Sequence, residues 1–271
     1  MTAAEARVAQ VVIRDPAAVA ELTITALAAA ADTSEATVIR FCRSLGLAGH
    51  RQLRLRAAQS VAVDVDAADP RIAGGDIPAG ADMRRIIDTV AYSDSHAVAD
   101  TARSLDAKVC DRVVSAMATA SRMDVFGAGA SGFVAADLAQ KLHRIGLLVF
   151  AWPDVHAALT GAALLDTTGL AVGVSHSGAT GDTIDFLRRA RIRGATTVAV
   201  TNHPRSPIVE VADHVLVTAA RETTFRSGAT ASRIAQLTVI DCLFVGVAGR
   251  RRAATGDALA LTAEAVADRR R

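Results

Sequence analysis

The sequence predicts a chain of the α/β class in two parts: an all-α N-terminal module and a larger domain built on a parallel sheet. Three observations carry this. Over residues 1–60 the apolar residues recur only at helical spacings, in short runs broken by cap and turn residues. From Arg122 onward short β runs alternate with helical ones, the pattern of strands joined by crossover helices. Between them, residues 61–80 carry Pro70, Gly74-Gly75, Pro78 and Gly80 without apolar periodicity, which is linker composition. A length of 271 residues with 51% hydrophobic content excludes disorder as the general state and accommodates two domains. The expected boundaries are 1–60 for the helical domain, 61–105 for linker and connecting helices, 106–250 for the α/β domain and 251–271 for a helical tail.

The net charge of +2 excludes a wholly basic nucleic-acid coat, but it hides a segregated pattern. Residues 1–60 carry seven arginines and five carboxylates, residues 61–121 six basic and ten acidic side chains, and residues 122–271 seventeen and thirteen. Within the first segment, residues 36–60 hold Arg40, Arg43, Arg51, Arg54 and Arg56 and no carboxylate. That is an electrostatic footprint for phosphates, although charge alone fits a solvated helix face as well. Glu5 and Arg7 stand where a signal peptide would place apolar residues, and the longest apolar stretch, Ile234–Ala248, is interrupted by Gln236 and Asp241. Cys42, Cys110 and Cys242 are far apart, and the seven His show no metal-ligand spacing. The expectation is a cytoplasmic protein with no metal, no cofactor and no membrane association.

Taken in order, Ala3–Arg14 is a helix with Val8, Val11 and Val12 on one side, and Asp15-Pro16 opens a short second helix through Leu22. Thr23 or Thr25 caps a helix over Ile24–Ala30, and Ser34 caps another over Glu35–Leu45, stopped by Gly46. Two short helices across a three- or four-residue turn have helix-turn-helix geometry. In the second, Val38, Ile39, Phe41 and Leu45 can face a core, leaving Ser34, Glu35, Thr37, Arg40 and Arg43 near the outer face. Short hydroxyls and forked guanidinium groups there suit base edges and phosphates, and Arg51, Arg54 and Arg56 suit the phosphate backbone. Composition by itself equally describes a small helical protein-interaction module.

From Met83 helical spacing returns through Ile86, Ile87, Val90, Val98, Ala102 and Leu105, then Val109, Val113, Val114 and Met117. Five strands follow, at Met123–Phe126, Leu147–Trp152, Leu170–Val174, Thr197–Val200 and His214–Val217. Helices over Ser131–Arg144, Val155–Leu165, Asp182–Arg193 and roughly Ser227–Val247 alternate with them.

Two strand-to-helix loops could hold phosphate. Gly127–Gly132 satisfies G-x-G-x-x-G, with Asp154 following at dinucleotide-fold distance, but Asp154 lies beyond Trp152-Pro153 and a lone match is a weak signal. The second loop, SHSGAT, sets the hydroxyls of Ser175, Ser177 and Thr180 among Gly178 and Gly181 at a helix start. Glycines let successive N–H groups converge, the helix N-terminus adds positive potential, and the hydroxyls complete a shell for a phosphoryl group. No lysine is present, which suits reversible binding better than phosphoryl transfer.

The string LTITALAAAADTSEATVIRFCRSLGLAGHRQLRLRAA (Leu22–Ala58) resembles the helix-turn-helix of RpiR (MurR/RpiR) transcriptional regulators, with Thr33 where the family commonly has Val. GAGASGF (Gly127–Phe133), KLHRIG (Lys141–Gly146), VSHSGAT (Val174–Thr180), TN-x-x-x-SP (Thr201–Pro207), ADHVL (Ala212–Leu216) and RSGATASRIAQLTVIDCLF (Arg226–Phe244) resemble the sugar isomerase (SIS) domain of those regulators. The resemblance implies a flavodoxin-like α/β/α sandwich on a five-stranded parallel sheet. It also implies a phosphorylated sugar or amino-sugar effector held by Ser175, Ser177, Gly178 and Thr180, with Gly129, Ser131 and the acid Glu222 beside it.

An isomerase or lyase reading would need a base near the sugar, for which Glu222 leads, followed by His143, His176 and His203. An Arg-lined recognition helix serves no isomerase. The expectation is therefore a non-enzymatic regulator, a homodimer or homotetramer on palindromic double-stranded operator DNA, with operator binding tuned by the phosphosugar.

Overall fold

The computed structural model describes residues 2–15, 18, 19, 22–47, 49–54, 57, 77, 80–221 and 231–267. The chain divides into two compact units, Met1–Gly74 and Gly75–Arg271.

In the first unit α1 (Ala3–Arg14) opens with a reciprocal capping box: Glu5 N–H donates to Thr2 Oγ1 at 3.3 Å and Thr2 N–H to Glu5 Oε2 at 2.7 Å. Thr23, rather than Thr25, caps α2 (Ile24–Ala30), and Ser34 caps α3 (Glu35–Ser44). Val8, Leu27, Ala28, Val38, Phe41, Cys42 and Leu53 form the core. Two expectations for α3 are corrected. Thr37 is buried, because it sits one turn before Phe41 on the inward face. Leu45 is 48% exposed, because α3 ends a residue early. Gly46 adopts φ +73°, its N–H donates to the Arg43 carbonyl, and Leu47 N–H returns to the Cys42 carbonyl. This Schellman turn folds Leu47 back onto the core in place of Leu45.

The second unit is layered around a sheet of order β2-β1-β3-β4-β5, all strands parallel. The strands are β1 (Met123–Gly127), β2 (Val149–Ala151), β3 (Leu170–Val174), β4 (Thr196–Thr201) and β5 (His214–Val217). Met123 pairs with Val149 on one side and Leu170 on the other, and the register continues through Leu170 to Thr196. β1 and β3 are buried at every residue, as expected of strands covered on both faces. One face carries α5 (Ala107–Thr119), α6 (Ala130–Arg144) and α9 (Ala231–Arg250) over Val125, Val172 and Val200. The other carries α7 (Val155–Ala163), α8 (Gly181–Ile192) and a 3-10 turn (Pro207–Val211) around Phe126 and Phe186, whose rings lie 5.7 Å apart. β2 is shorter than the expected Leu147–Trp152, because Leu147 N–H bonds back to the Leu142 carbonyl to close α6. On β1, Asp124 is fully buried, bound to the Arg122 guanidinium at 2.8 and 3.0 Å and to Trp152 Nε1 at 2.9 Å.

α4 (Met83–Ser104) packs along α9 in this second unit. Its buried face is not the expected Ile86, Ile87, Val90, Val98 and Ala102 stripe: Ile87 and Val98 are exposed, and Thr89, Ala97 and Thr101 are buried. Ala97 clusters with Ala220, Ala231 and Ala235, and such small side chains let helices approach closely. α9 is apolar and long enough to cross a membrane by length and composition, but its Ala235, Val239, Ile240, Leu243 and Val247 form a buried stripe within the second unit. α10 (Arg252–Glu264) follows it directly.

Candidate functional site

Each unit presents one candidate site. In the first, α2 and α3 are joined by a turn in which Asp32 takes φ +46°. Arg7 of α1 braces that turn, donating from Nε to the Ala31 carbonyl at 3.0 Å and from Nη2 to the Asp32 carbonyl at 2.7 Å. These are carbonyls that the end of α2 would leave unpaired. Glu35 accepts from Thr25 Oγ1 at 2.6 Å, fastening the start of α3 to α2. Arg40 and Arg43 are exposed along α3, and Arg51 is exposed on the following helical residues, with Arg54 half-buried. Thr37 does not project outward as expected: its hydroxyl lies 3.1 Å from Ser34 Oγ and accepts from Arg40 Nη2 at 2.9 Å, which orients the guanidinium. Burial, and then the Arg54 charge, hold His50 below the usual imidazole range, so near neutral pH this stretch draws its positive charge from arginine. Arg56 lies outside the described residues.

In the second unit the strand order reverses between β1 and β3, since β2 lies to one side of β1 and β3, β4 and β5 to the other. The crevice outside the carboxyl ends of two such strands is where open α/β sheets bind ligands. Both glycine-containing loops fall there: 127–132 follows β1 and 175–180 follows β3.

Among the described residues, the helices these two loops feed start without a side-chain cap. Thr2, Thr23, Ser34, Asp82, Asp106 and Asp154 each cap a helix with the side chain. Gly129 at the start of α6 and Thr180 at the start of α8 make no such bond, nor does Arg251 where α10 continues from α9. Two uncapped helix starts flanking one crevice leave N–H donors and positive potential directed at it.

The loop after β3 is held from within. Ser175 is buried, its Oγ lies 3.0 Å from Thr180 Oγ1, and it accepts from Gly178 N–H at 3.1 Å. Ser177 is exposed, and Thr180 half-buried. Gly178 takes φ +63°, and a Cβ there would collide with Ser206 Oγ, so only glycine fits. Gly127 is equally constrained, because a Cβ would lie 2.7 Å from the Ser131 carbonyl oxygen. Ser131 sits in the first turn of α6 beside the exposed Gly129, whose φ is +57°. Glu222 lies outside the described residues.

Of the histidines, His176 and His203 meet edge to face at 5.6 Å beside this loop. His143 lies in the last turn of α6, the end remote from the crevice. Sequence reasoning passed over Asn202 and Ser206. Both stand within the quoted TN-x-x-x-SP stretch, and their packing against Gly178 and the end of β5 needs tertiary structure to be seen.

A braced helix-turn-helix with exposed arginines and a parallel-sheet domain with an anion-suited crevice define a DNA-binding transcriptional regulator with an α/β effector domain. Comparisons with known proteins agree. A helix-turn-helix domain of the rpiR family matches residues 1–64, and the SIS domain matches residues 116–246. The chain is 39% identical over 250 residues to an uncharacterized HTH-type transcriptional regulator of Caldanaerobacter subterraneus, covering 92% of this chain and 87% of that one. It is 35% identical to the HTH-type transcriptional regulator HexR of Pseudomonas aeruginosa, over 92% of this chain and 85% of that one. Among solved structures, the Vibrio vulnificus NanR protein complexed with ManNAc-6P resembles it at TM-score 0.65 and 29% identity, over 99% of this chain and 94% of that one. The chain belongs to the RpiR family of helix-turn-helix transcriptional regulators with a SIS domain.

Proposed function

We propose that this regulator binds a phosphorylated sugar or amino sugar in the crevice between β1 and β3 and that occupancy changes its affinity for operator DNA. The observation that carries the reading is the pair of uncapped helix starts at the switch point, supplied with hydroxyls and no lysine. The hydroxyls of Ser177 and Thr180 and the N–H groups of Ser177, Thr180 and Gly181 take the phosphoryl group, Ser175 and Gly178 shape the loop, and Gly129, Ser131 and Glu222 bind the sugar. The ManNAc-6P held by NanR supports this ligand class.

On the DNA side, Ser34, Glu35, Arg40 and Arg43 meet the major groove, with Thr37 orienting Arg40, and Arg51 and Arg54 meet phosphates. A homodimer or homotetramer presents paired recognition helices to a palindromic operator in the cytoplasm. In this scheme 1–60 binds DNA, 61–105 connects, 106–250 senses and 251–271 is a helical tail. In this reading the protein acts without catalysis, which the helix-turn-helix and the relatives named HTH-type transcriptional regulators support.

A thermal-shift screen of sugar phosphates tests the ligand claim, because a compound that binds only the native state raises apparent stability. A hit whose shift at fixed concentration shrinks in Ser177→Ala supports the reading, and a hit unaffected by that change overturns the loop assignment. Ser175→Ala/Ser177→Ala together should abolish the ligand response while operator binding persists.

A further inference from the structure

We propose that Asn202 and Thr101 carry the state of the phosphate loop to α4, the helix through which the chain enters the second unit. The inference rests on the reading of 175–180 as a phosphate loop. His176 C=O and Ser177 N–H belong to one planar peptide, so turning that N–H toward an anion turns the carbonyl with it. The carbonyl is held at β4: it accepts from Asn202 N–H at 3.0 Å and from Thr201 Oγ1 at 3.2 Å. The Asn202 side chain then clamps the segment after β5, accepting from Ala220 N–H at 2.7 Å and donating to the Ala220 carbonyl at 3.2 Å.

The neighbouring residue completes the path. Ala219 N–H donates to Thr101 Oγ1 at 3.0 Å, on a face of α4 where Thr101 is fully buried. Two residues further back, at the end of β5, Ser104 Oγ donates to the Val217 carbonyl at 2.9 Å. Ala220 also packs with Ala97 of α4. Ala219 and Ala220 have no rotamers with which to absorb a displacement, so movement of 219–220 passes to the helix. Coupling of this kind needs a contiguous network with two arrangements, and these bonds supply the network.

Amide hydrogen exchange, read residue by residue with saturating inorganic phosphate against chloride at matched ionic strength, tests the route. In the wild type, phosphate should slow exchange at 177–180 and, by about fivefold or more, at Ala219, Ala220 and the last turn of α4, the low end of coupling between linked sites. In Asn202→Ala and in Thr101→Val the loop should keep its protection while α4 loses its own, and Thr101→Ser should restore it. If Asn202→Ala proves too unstable to fold, Thr101→Val gives the same separation. Undiminished phosphate protection of α4 in these variants overturns the route. Wild-type protection confined to the loop does so too, whereas no protection of the loop by phosphate removes the reading on which the route depends.

Discussion

Ser175 Oγ lies 3.0 Å from Thr180 Oγ1, so the first and last hydroxyls of the loop after β3 are bonded to each other. Ser175, which also accepts from Gly178 N–H, is thereby a strut, and Ser177 is the exposed hydroxyl of the three. Ser175→Ala should lower the unfolding free energy by about 1 kcal/mol, the net worth of an ordinary internal hydrogen bond. Ser177→Ala should leave stability within about 0.5 kcal/mol and weaken phosphosugar binding by roughly tenfold, as expected when one hydrogen bond to a charged group is lost. Urea unfolding and calorimetric titration separate the two effects.

Gly178→Ala combines a positive φ with a collision against Ser206, whereas Gly129→Ala, also at positive φ, meets no atom within 4 Å. Gly178→Ala should cost more than about 2 kcal/mol and Gly129→Ala about 1–2 kcal/mol, from backbone strain alone. Equal costs in urea titration would show that the Ser206 contact yields freely.

Asp124 is fully buried, while the Arg122 side chain that pairs with it keeps a quarter of its surface exposed. Removing the arginine strands a buried carboxylate, so Arg122→Leu should destabilise by about 3–5 kcal/mol. Asp124→Asn, which leaves Arg122 access to water and an acceptor for Trp152, should cost less. Trp152 fluorescence follows unfolding in both variants.

The Thr2 N–H bond holds the Glu5 carboxyl below the usual carboxylate range. Its folded-state pKa is therefore the lower one. The stability it contributes is present above the unfolded pKa and is lost as pH falls through the folded value. Glu5→Gln keeps an acceptor for Thr2 N–H and should flatten the acid-side loss of helicity in α1, read from its amide resonances between about pH 3 and 5.

Much of this architecture is legible in the sequence because it rests on local chemistry. The bounds of Ala3–Arg14, Ile24–Ala30, Leu170–Val174 and His214–Val217 follow from caps, turns and runs of apolar residues, and they are the observed ones. What periodicity misreads is burial decided by distant partners. Thr89, Ala97 and Thr101 are buried on α4 because α9 and the end of β5 need small groups and hydroxyls there, which no helical pattern of large apolar residues discloses. Leu45 gives way to Leu47 because a Schellman turn reverses the chain. At the site, the spacing of Ser175, Ser177 and Thr180 marks the loop, but the division into strut and exposed hydroxyl depends on which ones bond each other.

Fluorescence anisotropy reads whether phosphosugar occupancy of the β1–β3 crevice sets operator affinity. The titration uses duplexes selected by this protein from a random DNA pool, with and without the sugar phosphate that gives the largest thermal shift. The expected result is at least about a fivefold change in operator affinity for the wild type, the same change only at roughly tenfold higher sugar phosphate for Ser177→Ala, and loss of binding for Arg40→Ala/Arg43→Ala. An operator affinity indifferent to a sugar phosphate that demonstrably binds the wild type would contradict it.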